Sequence, residues 1–278
     1  MKKLYLDCGM GAAGDMLASA LYELLDEGEK KNYLDAMRAI APEGVSVSME
    51  PRSKCGILGT HFDVIIRGER EKSEDYHDHH HHDEDHHDHH HHHHNHDHEP
   101  HHHHHDHDHA HYGMADVKAM IGGFDVLSED VRRHILGVYE IIAAAESSVH
   151  GTDVSEIHFH EVGMMDAVID ITAVCLLMDM ISPDEVYVSP VRTGKGHVRC
   201  AHGILPVPAP ATASILQGIP TYAGDIEAEL CTPTGAALLK HFAGVFCDQP
   251  VMAVSGIGYG MGTKDFPVCN CLRAMLGE

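Results

Sequence analysis

Lys2 to Cys8, KKLYLDC, runs into Gly9 to Met16, GMGAAGDM, and then into apolar residues at helical spacing from Leu17 to Leu25. Strand, glycine-rich turn and helix in that order present backbone N–H groups and a helix N-terminus to an anion. Gly9, Gly11 and Gly14 are therefore candidates for cradling a phosphate. Their spacing is neither GxGxxG nor GxxxxGK[ST], so the turn is not a dinucleotide or Walker loop by pattern. Asp7 closes the strand and Asp15 opens the helix. Asp15 reads either as an N-cap or as the partner of Asp7 across the turn, the two acids holding a divalent cation beside a phosphate.

Working outward, Val45 to Met49 and His61 to Arg67 alternate as strands, with CGILGT between them, and predict an antiparallel pair on the sheet begun by the first strand. Met114 to Ile121 predicts a short helix. Ser128 begins S-E-D-V and caps a long helix through Ser147, with Val131, Ile135, Val138, Ile142 and Ala145 on one face. Glu185 to Val191 reads as a strand and Ala211 to Leu216 as a helix. Thr232 with Pro233 reads as an N-cap followed by proline at the first helical position. GIGYGMGTKDF, from Gly256 to Phe266, is expected to be a third glycine-rich loop, and Val268 to Met275 the last strand. The fold class is mixed α/β, a sheet packed with helices. One domain spans 1–71 and 112–278, and 72–111 is a disordered His/Asp-rich insertion.

That insertion has its own chemistry. Of the 35 positions from His77 to His111, 23 are histidine and nine more are acids, so nothing there can build a core. Imidazole suits nickel, zinc, copper and iron, and carboxylates orient the rings or join the ligand set. His79, His80, His81, His90, His91, His92, His102 and His103 represent a flexible multivalent metal reservoir. The formal charge of −24 argues against nucleic acid as a partner. No apolar run approaches a membrane span, and the opening lacks the apolar core of a signal peptide. Eight cysteines without a CxxC pair fit a reducing compartment, so the expected location is the cytoplasm. Cys269 and Cys271 read as buried small residues or as soft metal ligands. Self-association into a homo-oligomer stays open.

The densest polar constellation is IHFHEVGMMDAVIDI, Ile157 to Ile171. His158 and His160 share a face in an extended segment, and Glu161 follows. Asp166 and Asp170 share a face of an otherwise apolar helix. Together they are a ligand set for a divalent transition metal, or else Asp166 is a cap and the histidines are edge residues. Arg192, Lys195, Arg199 and His202 gather scarce positive charge in RTGKGHVRCAHG, where glycines admit a phosphate to the backbone. Thr232, Thr234 and the amide of Gly235 either meet an anion at a helix start or simply cap it.

YLDCGMGAAGDM, the histidine tract, HFHEVGMMDAVIDI, GKGHVRCAHGILPVPAPAT, ELCTPTGAALL and GIGYGMG follow one another in this order. In content and order they resemble the LarC family of nickel insertion proteins, over essentially the whole chain. The resemblance implies a nickel insertase of the lyase class that uses CTP with Mg or Mn. It would place Ni(II) into pyridinium-3,5-bisthiocarboxylic acid mononucleotide, through two sulfur–nickel bonds and one carbon–nickel bond, to complete the cofactor of lactate racemase. The apo racemase or a related client is then a partner. In the family the CTP site commonly lies in a C-terminal domain. This chain ends at Gly277-Glu278, where that domain would begin, so a partner domain is expected for turnover. Breaking the ring C–H bond needs a base, for which His158, His160 and Glu161 are candidates. Two other classes compete: a nickel storage or chaperone protein without chemistry, and a zinc- or nickel-dependent hydrolase carrying a metal reservoir.

Overall fold

The computed structural model describes residues 1–68, 74–76, 112–159, 165–200 and 202–278. The histidine tract, with the eight reservoir histidines named above, lies outside the described residues.

Seven strands form the main sheet: β1 (Lys3–Asp7), β2 (Val45–Lys54), β3 (Ile57–Ile66), β4 (Glu185–Val188), β5 (Val245–Phe246), β6 (Val254–Met261) and β7 (Cys271–Gly277). Their spatial order is β5-β4-β1-β7-β6-β3-β2. The sheet is mixed: β1 runs parallel to β4 and antiparallel to β7, while β6 is parallel to β3 and antiparallel to β7. Period-two alternation divides its faces. Leu4, Leu6 and Cys8 of β1 and Leu272 and Ala274 of β7 join the main hydrophobic core, whereas Tyr5 and Met275, of the opposite parity, do not.

The helices are α1 (Gly14–Tyr22), α2 (Glu27–Ile40), α3 (Met114–Gly122), α4 (Glu129–His150), α5 (Met165–Ile181), α6 (Pro210–Ile215) and α7 (Pro233–Phe242). Helix α1 lies on β6, β3 and β7; α5 packs on α1, and α4 on α5. Helix α5 is buried on nearly every side, which its almost unbroken apolar sequence requires. Local signals set the ends. Asp26 and Glu29 form a reciprocal capping box on α2, Ser128 accepts from the Val131 amide, and α4 stops at Gly151 in the left-handed conformation. No described helix is long and apolar enough to cross a membrane.

Two expectations change in detail. The antiparallel pair is longer than the alternation suggested, because β2 and β3 close through a two-residue turn at Cys55 and Gly56, both at positive φ. The expected third glycine loop is mostly strand β6. A Cβ on Gly260 would stand 1.8 Å from the Met16 carbonyl oxygen, and one on Gly258 2.0 Å from that of Ala20. These glycines are the floor on which α1 rests, so their bare backbone serves helix–sheet contact rather than a ligand.

A carboxylate cluster at the start of the first helix

Three amides of the β1–α1 turn are spent inside the protein. The Gly9 amide donates to Asp7, that of Gly11 to the Cys8 carbonyl and that of Ala12 to the Leu230 carbonyl. Gly11 sits at φ +85°, and a Cβ there would overlap the Leu230 carbonyl. The Thr232 amide returns a bond to Ala12 at 3.0 Å. The turn is therefore laced to the segment that opens α7, and two stretches read separately from the sequence come together. Thr232 accepts from the Gly235 amide at 3.1 Å, Thr234 is buried, and a Cβ on Gly235 would stand 2.2 Å from the Ala12 carbonyl. Capping and close packing account for all three.

The anion at the α1 N-terminus is the protein's own. Asp170, from the middle of α5, accepts the Asp15 backbone N–H, the position where the helix dipole favours negative charge. Gly14 makes room for it: a Cβ there would lie 2.5 Å from Asp170 Oδ2. Asp15 and Asp166 bring two more carboxyls to the same place. Burial pushes all three up. Asp166 rises to about 6; Asp170 goes well above the usual carboxylate range, raised further by the charges of Asp15 and Asp166; Asp15 rises too, partly held down by His61. The Asp166 carboxyl accepts from the Ala167 backbone N–H and from its own, while its Oδ1 atom is sealed and has no partner; the Tyr33 hydroxyl is likewise sealed and unpartnered, its pKa raised by burial and then by Asp170. Asp15 and Asp166 each raise the cost of ionising Asp170, and a dication bound among the three carboxyls would relieve that cost.

Two residues that the sequence analysis left aside complete the wall. His61 is buried, its Nδ1 2.6 Å from the Met261 carbonyl and 3.9 Å from Asp15 Oδ2, and its Nε2 3.4 Å from Asp63. The legible signal was THFDV: His61 and Asp63 alternate with Phe62 and Val64, two polar groups on one face of a strand. Among the described residues, no three His, Cys, Asp or Glu side chains stand grouped as a ready metal site. Of the other candidates, His160 and Glu161 lie outside the described residues, and only the backbone of His158 is described, paired with Gly113.

Asp7 turns away from this cluster. Directly across from Arg273 in the β1–β7 register, it accepts from the guanidinium at 2.6 Å. Asp7 and Asp15 thus hold different partners. Lys195 stands 3.7 Å from Glu227, Arg199 lies on the short strand His197–Cys200, and the exposed His202 ring is 4.9 Å from that of His150. Arg192 reaches the turn itself. It pairs with the exposed Asp225 and approaches Met10 Sδ at 3.5 Å, while its buried Nε has no partner. The Tyr222 hydroxyl lies 3.9 Å from where a Gly9 Cβ would be. All eight cysteines are free thiols.

Fold and site together define a mixed α/β protein whose centre is built of carboxylates and imidazole rather than of a phosphate loop. Residues 4–278 match the family described as nickel insertion protein, and the chain belongs to that family. Relatives named pyridinium-3,5-bisthiocarboxylic acid mononucleotide nickel insertion protein include one from Clostridium acetobutylicum, 39% identical, and one from Geobacillus kaustophilus, 37% identical. A third, from Desulfitobacterium hafniense, is 36% identical. Each alignment takes in 100% of this chain and 64%, 60% and 59% of the respective relative, so the chain spans about three-fifths of their length. No solved structure matches the chain.

Proposed function

We propose that this chain carries out the nickel-handling half of a CTP-dependent insertion of Ni(II) into pyridinium-3,5-bisthiocarboxylic acid mononucleotide, for a lactate racemase or a related client. CTP and its Mg or Mn are taken by the part of the relatives that this chain does not span. The observation that carries the reading is the meeting of Asp15, Asp166 and Asp170 at the start of α1, close enough that the first two charges raise the third carboxyl. Ni(II) is the substrate metal. Asp15, Asp166 and Asp170, with His61 at their edge, supply hard and intermediate donors, while the soft donors are the two thiocarboxylate sulfurs of the mononucleotide.

The raised pKa values give the cluster a direction. Carboxyls whose proton affinity is raised give up whatever protons they hold as Ni(II) binds. When the metal leaves for the ring carbon, the same carboxylates are ready to take protons back. Insertion exchanges one ring proton for the metal, so a site that gains protons as it gives up nickel favours the forward step. His158, His160 and Glu161, which lead into α5, are the bases proposed to receive the ring proton first. Arg192 and Tyr222, beside Gly9, are proposed to meet the phosphate, with Asp225 giving way; Lys195, Arg199 and His202 lie along the same chain segment.

Mass spectrometry of the mononucleotide tests this, after incubation with nickel, CTP-Mg, this chain and the complementary region of a relative. The expected product has gained nickel and lost the ring proton, and Asp170→Asn forms at least tenfold less of it. Wild-type product formation by Asp170→Asn would refute the site.

A further inference from the structure

Away from the carboxylate cluster, α4 and α7 bring two imidazoles together. His134 Nδ1 and His241 Nε2 are 2.9 Å apart, with the rings edge to face. The pair has a built seat. Gly137, one turn along α4 from His134, faces the His241 ring, and a Cβ there would lie 2.6 Å from His241 Cε1. Glycine in the middle of a 22-residue helix costs about 1 kcal/mol relative to alanine, and here it admits a histidine. The two rings also line both of two adjoining cavities, of about 510 and 500 Å³. Asp179 and Glu185 line the first, Glu140 the second.

We propose that His134 and His241 chelate a divalent first-row transition ion at a site separate from the carboxylate cluster. Two nitrogens bound in cis positions at about 2.0–2.1 Å from one ion stand roughly 2.9 Å apart, the spacing already present. In the empty pair one ring donates its N–H to the other. On binding, that ring carries its proton on its other nitrogen and both lone pairs turn to the ion, so two neutral imidazoles take up a dication with no net proton release. Burial and the neighbouring His134 hold the His241 pKa below the usual imidazole range, which keeps that ring neutral. The cavities give the ion and its remaining water ligands access; the acids of the first, Asp179, Asp184 and Glu185, attract it, while Arg132 and Arg133 balance Glu129 and Glu140 in the second. The inference does not rest on the insertion reading.

The test is diffraction from crystals of the full chain soaked in nickel chloride alone, with anomalous data at the nickel edge. The expected result is a peak about 2.1 Å from both nitrogens, with the hydrogen bond between the rings replaced. It should be lost in His241→Gln and in His134→Ala. It should also be lost in Gly137→Ala, which keeps both histidines and raises helix propensity but displaces the His241 ring. Nickel found only elsewhere, with the His134–His241 hydrogen bond intact, would overturn the proposal. So would a peak that survives His241→Gln.

Discussion

At the scale of single residues, Asp166 makes a linkage prediction. Asp166 has a folded pKa of about 6, above the ordinary value of 3.8. The folded protein therefore binds more protons than the unfolded chain between those values, and this contribution to stability is lost as pH rises through the window. Asp166→Asn mimics the protonated form at every pH. Without metal it should match wild type near pH 4 and exceed it by on the order of 2 kcal/mol near pH 7. Urea unfolding at the two pH values measures this, and an Asn variant that loses stability on wild type as pH rises would contradict it. Nickel should reverse the order, because it stabilises only the carboxylate. Gly14→Ala belongs to the same scale. Its Cβ would come 2.5 Å from Asp170 Oδ2, so it should push the acid off the helix N-terminus and lower insertion with all three carboxylates still present.

At the scale of elements, the glycines of β6 show how far sequence carries and where it stops. GIGYGMG reads as a loop because glycine weakens strands and favours turns. What overrides this is α1, lying at backbone distance on Gly258 and Gly260, and no local pattern reports the arrival of a helix from residues 14–22. Gly260→Ala should cost about 3 kcal/mol by overpacking, lowering the melting temperature by roughly 6–12 °C for a domain of this size. A variant melting within about 2 °C of wild type would mean that α1 can slide. Elements bounded by their own chemistry were legible, among them the Ser128 and Thr232 caps and the apolar stripe of α4. The pairing of Asp166 with Asp170 on one helix was legible from spacing alone. Their meeting with Asp15 and His61 was not, since it depends on three elements packing against one another. The glycine turn reads as an anion cradle, but its Gly9, Gly11 and Ala12 amides are taken by Asp7, Cys8 and Leu230. A pattern shows that donors exist, not which of them remain.

At the scale of the whole molecule, the two features proposed to handle metal differ in kind. The tract from His77 to His111 has almost nothing apolar, so it can raise local nickel concentration but cannot fix a coordination geometry. Deleting it should leave the melting temperature of the metal-free protein within about 5 °C, a change of roughly 1–2 kcal/mol, while removing most of its nickel capacity. A larger drop would mean that the tract supports the fold. The carboxylate cluster is the opposite: a few acids held on two packed helices, proposed to fix the ion's geometry.

The account stands on that division, and insertion rate against nickel concentration tests it most directly. The assay would use the complete system, with CTP and the complementary region supplied, and activation of an apo lactate racemase as readout. The tract deletion should need more nickel to reach half-maximal rate but arrive at the wild-type maximum. Asp170→Asn and His160→Ala, with the tract intact, should bind nearly the wild-type amount of nickel yet fail to insert it at any concentration. Wild-type rates from Asp170→Asn at both limiting and saturating nickel would contradict the account, leaving the cluster as a structural feature of the fold.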